Sequence, residues 1–446
     1  MSQVDQEAGK VAASARDGAA RQEIKVKVQK RLMETLDLVQ AQKLPFQELR
    51  DECLRRVDYL LTELRTPLTT AEKQQLLREV MDEIFGLGPI EELLRDPAVS
   101  DVLVNGPHQV YIERQGRLES TNARFRDDAH LLQVIQRIAS RVGRRIDESS
   151  PMLDARLPDG SRVNAIIPPL ALQGPVMSVR RFARIPIEAD TLVGLGSWTP
   201  EMSQFMQAAV TCKMNILISG GTGTGKTTLL NVLSKWIPPG ERVITIEDAA
   251  ELQLQREHVV ALETRPPNIE GKGQVTQRDL VRNSLRMRPD RIIIGEVRGP
   301  EAIDMLQAMN TGHEGSMTTV HANSVRDALR RLENMISMAG MNYPVHVIRD
   351  QLAATLDLII QVGRMTGGRR RIVAISELTG IEKDVVLMQD LFRFHQHGID
   401  ADGNAVGEFE ICGVRPQLLE RIEREGITLP AGMFQRRTPA AAGRRM

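Results

Sequence analysis

The chain has 446 residues, 41% hydrophobic and 26% charged, which is a globular balance in a length too great for one ordinary core. Lys plus Arg and Asp plus Glu number 58 each, so no net field draws the whole molecule onto nucleic acid or acidic lipid. Cys53, Cys212 and Cys412 are too scattered for a disulfide framework or a zinc cluster, which fits a reducing compartment. No apolar run approaches the roughly 18 residues of a membrane span, and "MSQVDQEAGK" is no signal peptide. The expectation is a cytoplasmic protein.

In chain order, residues 1–22 are small and polar and read as a mobile N-terminus. Residues 23–85 read as a helical module: Leu54, Val57, Leu60, Leu61 and Leu64 recur at helical spacing, and Thr69 or Thr70 offers an N-cap for the next helix. Residues 86–182 mix short strands ("DVLVN", "QVYIER", "RVNAIIPP", "VMSVRRF") with the amphipathic helix "DAHLLQVIQRIASRVG", which predicts a compact α+β domain. The Pro- and Gly-spaced stretch 183–200 reads as a linker. From 201 to 446 buried apolar strands alternate with helices, the pattern of a parallel sheet covered on both faces. "RRRIVAISELTG" and "DVVLMQDLFRFHQHG" add strands of a C-terminal extension.

"NILISGGTGTGKTTLLNVL", residues 215–233, fits G-x-x-x-x-G-K-[ST] through Gly220, Gly225, Lys226 and Thr227, between a predicted strand and a predicted helix. Glycine lets such a loop curl its N–H groups around an anion, and the helix N-terminus adds its dipole. Phosphate is therefore expected over Gly221, Thr222, Gly223, Thr224, Gly225, Lys226, Thr227 and Thr228, with Lys226 on the β/γ-phosphates and the Thr227 hydroxyl on Mg²⁺. The bland alternative is a flexible turn. Hydrolysis also needs carboxylates to organise metal and water. Glu247 and Asp248 follow the apolar run "RVITI", and Glu296 follows "RIIIG", where Gly295 occupies the position usually held by Asp. The plainer reading of each acid, a solvated loop residue or a helix cap, loses ground beside a phosphate loop.

His313 and His321 are eight apart, which matches no common zinc spacing; a histidine at a strand end could hydrogen-bond a γ-phosphate or be structural. Arg278, Arg282 and Arg286 form an i, i+4 stripe, either an ion-paired face or a subunit contact. The tail "MFQRRTPAAAGRRM" reads as a solvated terminus that could touch acidic lipid.

"GGTGTGKTT", "TIEDAAEL", "IIIGEVRG" and "TGHEGSMTTVHANS" occur in the order that resembles the type II/IV secretion and type IV pilus ATPase superfamily. There they look like a Walker A loop, an aspartate box, a Walker B strand ending in Gly-Glu and a histidine box. "FGLGPIEELLRDPAVSDVLVNGPHQVYI" and "LPDGSRVNAIIPP" resemble, more narrowly, the CpaF-type branch that assembles tight-adherence (Flp) pili. The resemblance implies an α/β fold: a RecA-like P-loop ATPase domain with a parallel-rich sheet, behind a smaller α+β domain and a helical module. It implies a homo-hexamer that binds ATP and Mg²⁺ at the cytoplasmic face of the inner membrane, associated with the membrane through pilus platform proteins. By the same resemblance Glu247 activates water, Glu296 lies near Mg²⁺ and Thr227, and His313 and His321 form the histidine box. Arg156 and Arg162, then Arg180 and Arg181, are the matching phosphate-binding arginines.

Three functions compete: a mechanical ATPase, with a conjugative type IV secretion ATPase as its nearest variant; a RecA-like nucleic-acid translocase; and a non-hydrolysing scaffold. Aromatic residues are only 3% and no basic–aromatic interleaving offers a base-stacking platform, so nucleic acid is not the expected partner. The carboxylates and histidines count against the scaffold.

Overall fold

The computed structural model describes residues 27–28, 31–32, 46–63, 69–114, 116–181, 187–267, 271–340 and 343–436. The N-terminal stretch 1–22 and the last ten residues of the arginine-bearing tail lie outside the described residues. Two compact units emerge, Met1–Arg181 and Phe182–Met446.

In the first unit, helices Phe46–Glu63 and Thr70–Phe85 bury Val57, Leu61, Leu76 and Val80 against each other. Thr69 is the N-cap of the second helix: its hydroxyl accepts from Glu72 N at 3.3 Å while the Glu72 carboxylate accepts from Thr69 N at 2.7 Å. A six-stranded antiparallel sheet follows, in the order β3-β2-β1-β6-β5-β4. Its strands are β1 (Val99–Asn105), β2 (Val110–Arg114), β3 (Arg117–Ser120), β4 (Met152–Arg156), β5 (Arg162–Ile166) and β6 (Val176–Arg180). Helix Asp128–Arg141 sets Leu131, Val134, Ile135 and Ile138 into the same core as Val102, Val104, Val163 and Val179. The other residues of those strands alternate outward, as the pleat requires.

The second unit is built on a nine-stranded sheet in the order β15-β14-β13-β12-β7-β11-β10-β8-β9. These are β7 (Ile216–Gly220), β8 (Val243–Glu247), β9 (Val259–Glu263), β10 (Arg291–Ile294), β11 (Met317–Val320), β12 (Leu358–Arg364), β13 (Arg370–Glu382), β14 (Val385–Ile399) and β15 (Ala405–Ile411). From β9 to β12 every pairing is parallel; β13, β14 and β15 extend the sheet antiparallel. Period-two alternation divides the apolar strands between two cores. Ile216, Ile218, Ile293 and Ile360 face one, and Leu217, Ile292, Ile294 and Ile359 face the other. With helices over both faces and β7 central, this is a RecA-like α/β sheet.

From residue 187 on, the stretch read as a linker belongs to this unit. It holds helix Ala189–Gly194, and Trp198 is only 2% exposed, stacked on Trp236 with ring centroids 5.9 Å apart. A buried indole ties the segment to the core, which Pro and Gly spacing alone does not reveal.

Candidate active site

In an open parallel sheet, loops at the carboxyl ends of the strands converge where the chain order reverses. Here β7 lies between β11 and β12, and its carboxyl end runs into the glycine loop. Gly225 has φ 94°, a left-handed conformation that a side chain resists, and it opens helix Lys226–Ser234 without a side-chain cap. The first-turn N–H groups thus point at an anion site. Gly220 is needed for space, because a Cβ there would lie 2.6 Å from both Thr224 Oγ1 and the Val362 carbonyl oxygen. Thr224 Oγ1 donates to the Gly221 carbonyl at 2.9 Å. Lys226, 7% exposed, donates from Nζ to the Gly220 and Gly221 carbonyls at 3.0 and 2.9 Å. Burial pushes its ammonium below the usual lysine range, and the Glu296 carboxylate partly offsets that shift.

Glu247 ends β8 and is 4% exposed; its Oε1 accepts from the Glu251 and Leu252 amides at 3.0 and 3.1 Å. Glu296 lies just past β10. Its Oε2 accepts from Arg298 Nη2 at 2.8 Å, and its Oε1 lies 3.2 Å from His321 Nε2, just past β11. Arg298 also reaches Asp248, Nη1 to Oδ2, at 3.4 Å. Burial, then the Lys226 charge, lower the His321 pKa below its ordinary value. The shift favours the neutral imidazole. Among the described residues no cluster of three or more His, Cys, Asp or Glu could hold a metal. Mg²⁺ is commonly held by one or two carboxylates, phosphate oxygens and waters. Thr227 and Glu296 are the protein groups that would hold it.

His313 is not brought to this loop. It precedes β11 and His321 follows it, so four strand residues, about 13 Å at the usual rise, separate them. The His313 carbonyl accepts from Ser316 Oγ at 2.7 Å, and Gly315 and Ser316 donate to Asn215 Oδ1 at 2.9 and 3.2 Å. His313 therefore sits at the amino end of the strands, in a loop tied down by Asn215.

In the first unit, cross-strand pairing sets Arg156, Arg162 and Arg180 in one row over β4, β5 and β6. Like charges directly opposite one another are unfavourable, and acids compensate. Asp154 takes Arg162 in a fork at 3.1 and 2.6 Å, and Asp101 accepts from Arg180 Nε at 3.0 Å. Arg156 Nε reaches the Gly160 carbonyl at 3.4 Å. Arg181 departs from the row: its Nη1 donates to the carbonyls of Asp96 and, at 2.9 Å, Val99. The Arg278 and Arg282 stripe is an ion-paired face, both Nε atoms meeting Asp304 at 2.7 and 2.8 Å.

Two features escape a motif search. Arg370, the first residue of β13, donates from Nε to the Gly223 carbonyl at 2.9 Å. A cavity of about 380 Å³ opens beside the loop, bounded in part by Leu195, Thr224, Thr228, Val362 and Arg370, a volume suited to a nucleoside.

The protein family described as type II/IV secretion system protein matches residues 83–376. A putative conjugal transfer protein of Mycobacterium tuberculosis is 38% identical over 312 residues, covering 69% of this chain and 88% of the relative. The conjugal transfer protein TrbB of Rhizobium radiobacter is 34% identical over 282 residues, covering 62% and 83%. The VirB11 ATPase of the Brucella suis type IV secretion system, solved with sulphate, is 30% identical with a TM-score of 0.36, covering 66% of this chain and 97% of that one. The chain belongs to the type II/IV secretion system protein family.

Proposed function

We propose that this protein is an ATP-hydrolysing ring motor, a homo-hexamer at the cytoplasmic face of the inner membrane that drives assembly of a tight-adherence type IV pilus through platform proteins. The reading rests on one observation above all: Lys226 opens the helix after β7 while Glu296, past β10, lies 3.2 Å from His321, past β11, all at the carboxyl ends of the strands. In this reading the loop amides and Lys226 bind the ATP phosphates, and Glu296 with Thr227 would hold Mg²⁺, which would supply charge stabilisation. Glu247 orients the attacking water. His321 bonds Glu296 and responds to loss of the γ-phosphate. Arg156, Arg162 and Arg180 form the row of guanidinium charge to which the family resemblance assigns phosphate binding. Among the described residues no helix is long and apolar enough to cross a membrane.

A conjugative type IV secretion ATPase is the second reading, favoured by the names of the Mycobacterium and Rhizobium relatives. A chromosomal Lys226→Ala allele separates the two. Loss of surface pilin with intact plasmid transfer supports the pilus motor; loss of transfer with normal pilin supports the conjugative one. Stimulation of the purified ATPase by single-stranded DNA, with none by platform protein, would instead favour a translocase.

A further inference from the structure

The glycine at 295 stands where an aspartate usually follows the apolar strand, and the backbone does not explain it. Gly295 is absent from the positive-φ glycines, so an L-residue could adopt its conformation. Space explains it. β8 and β10 are parallel neighbours with Ile246 opposite Ile294, which sets Glu247 beside Gly295. A Cβ on residue 295 would lie 2.8 Å from Glu247 Cγ, 3.1 Å from Oε1 and 3.3 Å from Cδ.

Neither residue has room to retreat. Gly295 N donates to the Ile246 carbonyl at 2.9 Å, and the Gly295 carbonyl accepts from Thr319 Oγ1 at 2.7 Å, so strands on both sides pin it. Glu247 is 4% exposed, and its carboxylate is held by the Glu251 and Leu252 amides.

We infer that Gly295 is a positioning residue: its bare Cα is the floor of the seat that holds the Glu247 carboxylate in place. An aspartate at 295 cannot share this space with Glu247, and the acid past β10 is accordingly displaced one position, to Glu296. The inference rests on the reading of Glu247 as the carboxylate that orients water.

The test uses the full-length purified protein with Gly295→Ala, Gly295→Asp, Glu247→Ala, Glu247→Gln and the double variant Gly295→Ala/Glu247→Ala. Gly295→Ala is expected to lower kcat on the order of a hundredfold, as ångström-scale misplacement of a reacting group does. KM for ATP should stay within about twofold, since phosphate binding is untouched. Gly295→Asp should lose turnover likewise rather than gain it. Melting supplies a second readout that needs no activity: Gly295→Ala should lower Tm in the parent and not in the Glu247→Ala background, where the colliding atoms are gone. Unchanged kcat in Gly295→Ala, or equal Tm losses in both backgrounds, overturns the inference. Full kcat in Glu247→Gln instead overturns the role given to Glu247, while the melting cycle still decides the seat.

Discussion

His321 Nε2 lies 3.2 Å from Glu296 Oε1, joining the carboxyl ends of β11 and β10. Because burial and Lys226 lower the His321 pKa from 6.5, the folded chain binds a proton there less readily than the unfolded chain. Between the lowered value and 6.5 the unfolded state carries more protons, so stability rises with pH in that window and is lost as pH falls through it. Melting curves from pH 7.5 downward should show this loss in wild type and a smaller one in His321→Gln. Equal slopes would mean that His321 does not titrate as its surroundings require.

Lys226→Ala should abolish the nucleotide-induced rise in Tm. Wild type at ligand a hundredfold above Kd gains about 2.7 kcal/mol by mass action; the variant, without the ammonium of the glycine loop, should gain almost none. Thermal shift with ADP and ATP measures the difference directly.

Arg162→Ala should separate catalysis from folding. Its partner Asp154 has a side chain 49% exposed, so the lost pair should cost less than about 1 kcal/mol of stability. Turnover should fall on the order of 10³-fold if the row Arg156, Arg162 and Arg180 serves the transferring phosphoryl group. Denaturant titration and phosphate release on one preparation test both halves.

Asp304→Asn should behave in the opposite way. The Asp304 side chain is 7% exposed and takes charged hydrogen bonds from Arg278 and Arg282, so the change should cost about 1–3 kcal/mol in urea denaturation. Nucleotide affinity should be preserved, since this pair braces helix Gln277–Ser284 against helix Glu301–Asn310.

The parallel strands were legible because strands buried on both faces read as short apolar runs, and the phosphate loop because its pattern is local. Other features depend on neighbours distant in sequence. Arg180 and Arg181 are adjacent in "SVRRF", yet successive residues of an extended chain point to opposite faces, so only Arg180 joins the arginine row. A spacing of eight between two histidines does not disclose separation by a strand, although the β-prone "MTTV" carries that signal. Trp198 reveals its anchoring role only beside Trp236. Gly295 looks like a departure from a motif until Glu247, from the neighbouring strand, is set against it.

The most direct measurement is steady-state phosphate release by the purified chain beside Glu296→Gln, with nucleotide affinity determined for both. Wild type should turn ATP over, and the variant should bind ATP with the same affinity while releasing phosphate at least about a hundredfold more slowly. Equal turnover in the two proteins, or none in wild type, would contradict hydrolysis organised by Lys226, Glu296 and His321.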